Sequence, residues 1–448
     1  MTLIASDKLS VIIGLGVTGL SVARFLKKKD LPFLVMDTRQ QPPCLQEFRL
    51  AFPEIKLILG KLDVDMLLAA TEIVTSPGIS IKTPEIAAAI KQGIAVIGDV
   101  ELFAREVKKP VVAITGSNAK TTVTTLVGQM AKDAGLKVIV AGNIGTALLD
   151  TLDKPADLYV IELSSFQLET TYSLRPQVAT ILNISADHMD RYDSLADYHR
   201  AKQRVYLNAQ SIVVNRADPL TQAPLAKGTQ CISFAADTPD RHGFGLINRD
   251  GRDYLAYEFS TLLAVDELQV RGQHNVANCA AALAIGMLAK LPMPSMLNSL
   301  KQFQGLPHRC QWFANINGVD FINDSKATNV GATLAALKGF ANQQSKNIIL
   351  IAGGQAKDAD FSLLVPVLAE TVHLVILIGK DADKLDRAIN KAVQIHHAGD
   401  LRDAVQLAKK QASGGDLVLL SPACASFDMF SGYQDRGEQF MLAVKEAA

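Results

Sequence analysis

The sequence predicts an α/β protein with largely parallel sheets, and three observations carry that reading. Strand-like and helix-like segments alternate along the 448 residues. Nearly every strand-like run ends in Gly, Ser, Thr, Asn or a charged residue, at the carboxyl ends where open α/β sheets gather ligands. Hydrophobic residues make up 48% of the chain and its length suits two to four domains, so several cores can form.

The first unit opens with "LSVIIGLG", a strand running into a glycine-rich turn, then "GLSVARFLKKKD" as a helix and "FLVMD" as the next strand. "EIVTSPG" ends another strand on a Pro-Gly turn. "TPEIAAAIKQG" reads as a helix with Thr83 as N-cap, Pro84 in its first position and Gly93 past its end. Residues 1–97 make a first domain of ordinary size for one doubly wound sheet. "PVVAIT" starts a second unit at Pro110. Its helix from Lys120 sets Val123, Leu126, Val127, Met130, Ala131 and Ala134 on one face, closed by Gly135. "KVIVAGNIG", "LYVIELSSF", "VATILNIS" and "SIVVNRAD" continue as strands. The apolar helix "HNVANCAAALAIGMLAKL" reads as the last clear element of a domain over 98–305. The third domain, 306–448, carries three strands, "KNIILIAGG", "HLVILIG" and "GDLVLLSPACAS". No internal repeat or low-complexity run interrupts this layout.

Lys+Arg and Asp+Glu balance at 45 each, which argues against a general nucleic-acid binder but leaves room for a local basic pocket. The five cysteines (Cys44, Cys231, Cys279, Cys310 and Cys424) show no C-x-x-C pair and no zinc spacing, so they read as buried thiols in a reducing cytosol. No secretory leader precedes the first strand, and no apolar run is long enough to span a membrane. A soluble cytoplasmic protein, without membrane insertion, is expected.

"ITGSNAKTT", Ile114 to Thr122, sits between a strand and an amphipathic helix, the context of a phosphate-binding loop. Gly116 allows the turn, Ser117 and Asn118 fill it, Lys120 supplies the charge, Thr121 is placed for a metal and Thr122 for phosphate or capping. Ala119 stands where glycine is usual. If the turn needs a positive φ there, alanine costs roughly 1 kcal/mol; otherwise its methyl need only clear the phosphate. A capped helix after a polar turn is the competing reading. Around the loop, Glu162 lies just inside a strand end, where a carboxylate can hold Mg²⁺. His188 sits in a charged turn after a strand, and Asn143 stands between glycines after another.

In the first domain, "GLGVTG" gives Gly14, Gly16 and Gly19 the G-x-G-x-x-G spacing, and Asp37 ends the next strand. Taken alone this is a dinucleotide fingerprint, and an NAD(P)-linked oxidoreductase stays open. A UDP-sugar presents the same pyrophosphate, so the motif does not separate the two.

"AITGSNAKTT", "AGNIG", "ELSSFQLE", "NISADHMDRY", "YHRAKQRVY", "GQHNVANCAAA", "GLPHR", "NDSKATN", "IAGGQAKDADF" and "SPACASFDMF" occur in an order that resembles the Mur ligases across the whole chain. "HMDRY", "DSKATN" and "SPACASFD" point to the branch that adds D-glutamate. Two departures stand out: Ala119, and Gln355 with Ala356 in "GGQAK", where the family usually shows "GGDGK". The resemblance implies a Rossmann-like first domain, a P-loop-type central ATPase domain and a Rossmann-like third domain. It implies an ATP-dependent amide ligase of peptidoglycan precursor synthesis, acting through an acyl phosphate and a tetrahedral intermediate. UDP-N-acetylmuramoyl-L-alanine, D-glutamate and ATP would be its small-molecule partners, Mg²⁺ (two ions) its cofactor, and a monomer the expected state.

The resemblance also assigns residues. Lys120 would grip β- and γ-phosphate, Thr121 and Glu162 one Mg²⁺, and His188 a second. Lys202 matches the family lysine that is carbamylated, with Tyr198 one helical turn earlier. Leu15, Gly16, Thr18, Asp37, Thr38, Arg39, Ser76 and Asn143 would line the UDP-sugar site. Asn275, Arg309 and Asp324 would reach ATP, with His308 nearby. Lys326, Thr328, Lys357, Ser426 and Tyr433 would hold D-glutamate. The third domain is expected to close when ATP binds. A catalytically weak nucleotide-sugar-binding homologue remains the third reading, on Ala119, Gln355 and Ala356.

Overall fold

The computed structural model describes residues 9–223, 228–341, 345–356, 359–389 and 392–446. Lys357 lies outside the described residues. The first sheet contains β1 (Ser10–Ile13), β2 (Phe33–Asp37), β3 (Leu57–Leu59), β4 (Glu72–Thr75) and β5 (Ala95–Ile97), all parallel, in the order β3-β2-β1-β4-β5. Chain order reverses between β1 and β4, so a crevice opens at their carboxyl ends. The helix Val17–Lys28 covers β1 through buried Leu20, Val22, Ala23 and Leu26, with Lys27 and Lys28 complementing its carboxyl-terminal dipole. Gly19 must be glycine: a Cβ there would sit 1.8 Å from the Gly14 carbonyl oxygen.

The central sheet has nine strands: β6 (Val111–Thr115), β7 (Val138–Gly142), β8 (Leu158–Glu162), β9 (Val178–Ile181), β10 (Ser211–Asn215), β11 (Gln230–Phe234), β12 (Gly243–Arg249), β13 (Arg252–Tyr257) and β14 (Ser260–Ala264). Their order is β14-β13-β12-β11-β10-β9-β6-β8-β7, so β6, which leads into the loop at Gly116, lies between β8 and β9. The helix Lys120–Asp133 buries the expected face, Val123, Leu126, Val127, Met130 and Ala131. It packs beside Gln273–Leu288, a helix apolar on nearly every face and buried accordingly. Three features go beyond the sequence reading, the first being the parallel strand β11 beside β10. The strands β12 to β14 form an antiparallel extension, and a further helix, Met293–Gln302, follows the apolar one.

The third sheet has the order β15-β16-β20-β17-β18-β19, from β15 (Gln311–Ile316), β16 (Val319–Asn323), β17 (Ile348–Gly353), β18 (Val372–Ile378), β19 (Gln394–His397) and β20 (Leu417–Leu420). The three expected strands, β17, β18 and β20, are its continuous apolar runs and lie together; β15, β16 and β19 are the ones the sequence reading did not separate. One buried apolar cluster runs through both the first and central domains, with Phe103 edge-on to Tyr159 at 5.1 Å. The third domain closes its core separately on the two faces of its own sheet. Among the described residues, no helix is long and apolar enough to cross a membrane.

Candidate active site

The loop after β6 decides the question posed by Ala119. Gly116 has φ +152° and Ala119 φ +65°, ψ −2°. The turn therefore does need a left-handed residue, and alanine holds it at a cost of roughly 1 kcal/mol. Neighbouring elements fix the strained turn. Ser117 N–H donates to the Asn183 carbonyl, Asn118 N–H to Asn183 Oδ1, and Ser117 Oγ bonds Ser185 and the Tyr198 hydroxyl. Ser117 and Asn118 thus stitch the loop to the turn after β9. With the Ser117 and Asn118 amides engaged, those left to face an anion are Ala119 and the first helical turn after it.

Lys120 Nζ folds back on the carbonyls of Gly116 and Ser117, at 2.8 and 2.9 Å. Burial pushes its pKa down, and the Glu162 and Asp187 charges pull the other way. Thr121 Oγ1 donates to Glu162 Oε2 at 2.8 Å, and Asn143 Nδ2 donates to Glu162 Oε1 at 2.8 Å. Glu162 is only 2% exposed and its two bonds come from neutral groups. Thr122 is buried.

Lys202 is the least expected of the group physically. It is 1% exposed, with Nζ 2.9 Å from the Gly116 carbonyl, 3.3 Å from Thr115 Oγ1, and 4.7 Å from the centre of the Tyr198 ring. Burial, reinforced by the Lys120 charge, holds its pKa well below the ordinary lysine value. His188 has φ +56°, lies 3.7 Å from Asp187, and meets the Phe166 ring edge-on at 4.9 Å.

The third domain reaches this centre directly. Arg309 Nη2 donates to Thr121 Oγ1 at 2.8 Å, and Asn329 Nδ2 donates to Asn118 Oδ1 and Asp187 Oδ2 at 3.3 and 3.2 Å. A cavity of about 230 Å³ beside the loop is lined by Asn118, Thr122, Asn275, Arg309, Asp324 and Lys326 among others. Asp324 is mostly engaged within its own domain, accepting from Cys310 N–H and Ser421 Oγ, and burial raises its pKa to about 7. Asn275 donates to the Arg271 carbonyl at the start of its helix. His308 turns away from the cavity, bonded to Asn323.

A second cavity, about 200 Å³, lies between the Asp187–Met189 turn and Thr328–Gly331. Lys326 Nζ sits 4.2 Å from the centre of the Tyr433 ring. Ser426 is buried, its carbonyl accepting from Met429 and Phe430. Gln355 pairs its backbone with Ala425, and Ala356 N–H donates to Asp381. The departures in "GGQAK" therefore occupy a well-bonded turn beside the Ser426 loop.

In the first domain, Gly14 (φ +95°) and Gly16 form the turn after β1, and Ser76 Oγ donates to the Gly14 carbonyl from the end of β4. Thr18, in the first turn of the helix Val17–Lys28, is part-buried, and Thr38 is exposed. Leu15 is fully buried, so it can offer a ligand only its backbone. Its N–H is already given to Asp37 Oδ2 at 2.7 Å. Arg39 donates to both Asp37 oxygens through Nε and Nη2. Burial alone would raise the Asp37 pKa, but these donors hold it below the usual range. A ribose diol would have to compete with every one of them, so the acid does not serve as in a dinucleotide site. Asp37 shapes the turn and holds Arg39.

Three family descriptions match this chain in order: the Mur ligase MurD-like N-terminal domain over 8–98, the Mur ligase middle domain over 114–286, and the Mur ligase glutamate ligase domain over 308–424. The chain belongs to the Mur ligase family. End to end, this Mur ligase is 50% identical to the UDP-N-acetylmuramoylalanine–D-glutamate ligase of Pseudomonas fluorescens over 448 residues, covering 100% of each chain. The protein of the same name from Pseudomonas aeruginosa is 49% identical over 100% of both chains. That from Legionella pneumophila is 47% identical over 98% of this chain and 99% of the relative. Among solved structures, a pseudomurein peptide ligase type C from Methanothermus fervidus matches with TM-score 0.61 at 20% identity, over 98% of this chain and 99% of that one. The UDP-N-acetylmuramate-alanine ligase of Thermotoga maritima gives 0.57 at 17%, over 98% and 100%. These two speak for the fold alone.

Mur ligases use ATP with Mg²⁺, and the residues of this one fit a hard divalent cation. Thr121 Oγ1 and Glu162 Oε2 are oxygen ligands on one side of the loop, and among the described residues no cation hydrogen-bonds to the buried Glu162 carboxylate, although the Lys120 and Lys202 charges act on it from farther off. No three His, Cys, Asp or Glu side chains cluster as a metal cage among the described residues. Mg²⁺ is commonly held by one or two carboxylates together with substrate phosphates, and Glu162 offers one such carboxylate.

The sequence reading did not single out Asn183 and Ser185, which brace the loop, or Asn329, which bridges two domains. Asn329 offered one local signal, an Asn directly before the helix Val330–Phe340, and it does cap that helix through Ala332 N–H.

Proposed function

We propose that this Mur ligase joins the amino group of D-glutamate to the carboxylate of UDP-N-acetylmuramoyl-L-alanine, with ATP cleaved to ADP and phosphate, in peptidoglycan precursor synthesis in the cytoplasm. One observation supports this above others. Lys120, Thr121 and Glu162 meet where β6 and β8 end, in a chain about half identical along its length to relatives that carry the name of that activity.

Three domains divide the work, over about 1–97, 98–305 and 306–448. The first seats the UDP-sugar with Gly16, Thr18, Thr38, Arg39 and Ser76, while Asp37 and the Leu15 backbone keep the turn in shape. Asn143 reaches the same substrate from the end of β7. In the central domain the first-turn amides and Lys120 hold the triphosphate, as far as Thr122. The substrate carboxylate attacks the γ-phosphorus, the bond to the bridging oxygen breaks, and ADP leaves. The D-glutamate amine then attacks the acyl carbon, and phosphate departs as the amide forms. Charge grows on oxygen in each step, so the chain acts mainly by positioning and by fixed positive charge. Mg²⁺ bound at Thr121 and Glu162 would neutralise phosphate charge.

A second ion near His188 needs an anionic group close by, and Lys202 can become one. Burial lowers its pKa and so favours the neutral amine, the form that adds to carbon dioxide, making an N–C bond and releasing a proton. Arg309 and Asn275 contribute to the ATP pocket, with Asp324 supporting Arg309's segment. Lys326, Thr328, Lys357, Ser426 and Tyr433 receive D-glutamate, and the enzyme works as a monomer.

The experiment is product analysis. Protein, Mg-ATP and UDP-N-acetylmuramoyl-L-alanine are mixed with a panel of amino acids, and products are weighed by mass spectrometry. Condensation with D-glutamate alone is expected. Product from L-glutamate, or reduction of a nicotinamide cofactor in place of condensation, contradicts the reading. Tight UDP-sugar binding without any product would instead mark a catalytically weak homologue.

A further inference from the structure

The turn that carries His188 also holds Arg191, a cation with no part in the chemistry above. Its side chain is 12% exposed, and it points across a domain boundary. Nη1 donates to the Pro77 carbonyl at 2.7 Å, and Nη2 to the Ile79 carbonyl at 3.3 Å and to Glu169 at 3.1 Å. Pro77 and Ile79 belong to the turn after β4, immediately following Ser76. That turn touches the glycine turn twice: through the Ser76 bond to the Gly14 carbonyl, and through Ile79, whose Cδ1 would lie 2.9 Å from a Cβ at Gly14. On its other side, the Arg191 guanidinium carbon lies 3.9 Å from the centre of the Phe166 ring, the same ring that meets His188.

One half-hidden arginine thus touches both the wall of the diphosphate cradle and the platform under His188. Only a planar fork can donate to two carbonyls and a carboxylate while stacking on an aromatic ring; a lysine offers a single point charge. The shared apolar cluster already holds the first and central domains together. The arginine covers Phe166 at the edge of that cluster, but its hydrogen bonds go to the main chain of the turn after β4 and to Glu169, outside it.

We propose that Arg191 is a positioning residue: it clamps the turn after β4 onto the Phe166–His188 platform and so sets the spacing between the UDP-sugar cradle and the reacting end of the site. The inference rests on the proposed ligase reading only for its effect on turnover. A long substrate anchored by its diphosphate in one domain and activated in the next depends on that spacing, and an error near 1 Å costs on the order of 100-fold in rate.

Three variants and two readouts test it. Arg191→Ala and Arg191→Lys lose the fork; Glu169→Gln loses the ion pair and keeps the bonds to Pro77 and Ile79. In the first two, kcat is expected to fall about 100-fold, while Mg-ATP and free UDP bind within about threefold of wild type by calorimetry and melting temperature holds. Glu169→Gln is expected to keep kcat within about threefold. The second readout needs no turnover. Amide exchange at Ser76, Gly78 and Ile79 should quicken in Arg191→Lys while the helix Val17–Lys28 stays protected. Unchanged exchange and unchanged kcat overturn the proposal. So does a loss of kcat that arrives with equal losses in Mg-ATP affinity and melting temperature. If Arg191→Ala does not fold, Arg191→Lys alone decides. If wild type binds UDP and Mg-ATP but forms no product, the ligase reading has failed, and exchange at Ser76, Gly78 and Ile79 still judges the clamp.

Discussion

Thr121 Oγ1 donates to Glu162 Oε2 across 2.8 Å, tying the first turn of one helix to the last residue of β8. Because Asn143 is the other donor to this carboxylate, Glu162 is oriented before any cation arrives. Glu162→Gln keeps the shape and removes the charge. It is expected to cut turnover at least ~100-fold and to weaken the Mg²⁺ dependence of ATP binding. Calorimetry with ATP at several Mg²⁺ concentrations checks this; an unchanged Mg²⁺ dependence counts against the assignment.

Ala119 at φ +65° gives a prediction of opposite sign at one position. Ala119→Gly relieves roughly 1 kcal/mol of backbone strain and loses about as much through the freer unfolded chain. Stability and turnover should therefore stay close to wild type. Ala119→Val places a β-branched residue in a conformation it rarely adopts and should lower both stability and Mg-ATP affinity. Denaturant unfolding and calorimetry on the pair provide the check.

Asp324 links pH to stability. Its folded pKa, about 7, stands above the unfolded value, so the native state keeps a proton that the unfolded chain gives up. The stabilising contribution is whole below the unfolded pKa and is lost as pH rises through about 7. Its size is at most about 4 kcal/mol. Asp99, raised to about 6 by burial, acts in the same direction. Asp324→Asn should flatten the slope of unfolding free energy between pH 4 and 7 without abolishing it. The slope, rather than the absolute stability, is diagnostic, because asparagine also loses an acceptor for Cys310 N–H or Ser421 Oγ.

Much of this site was legible because it follows from local rules. A strand, a turn and a striped helix placed Lys120 and Thr121, and a strand-end carboxylate placed Glu162. Periodicity marked the buried face of the helix Lys120–Asp133. Other features depend on partners remote in sequence. Nothing near Lys202 says that it will be buried under Tyr198 against the Gly116 carbonyl. The acid in the first domain looked like a ribose ligand because spacing cannot show that Leu15 and Arg39 take its oxygens. β11 and the antiparallel β12 to β14 lack the continuous apolar runs by which β9 and β10 were read; polar residues interrupt "QCISF", "GFGLINR" and "RDYLAY".

Asp37 carries its own prediction. Asp37→Ala leaves Leu15 N–H buried without an acceptor and frees Arg39, at a cost of roughly 2 kcal/mol. UDP-sugar affinity should drop while Mg-ATP affinity holds, since the donors affected lie in the first domain only. Equal loss of both affinities in parallel titrations would contradict that division.

Lys120 Nζ is held by two loop carbonyls at the start of its helix, and its proposed grip on the ATP phosphates is the central claim. The most direct measurement is phosphate release with Mg-ATP, UDP-N-acetylmuramoyl-L-alanine and D-glutamate, each omitted in turn, for wild type and Lys120→Ala. Release by wild type only when all three are present, and near-complete loss in the variant, is the expected result. Steady release from Lys120→Ala at the wild-type rate, or release from wild type that ignores D-glutamate, would contradict it.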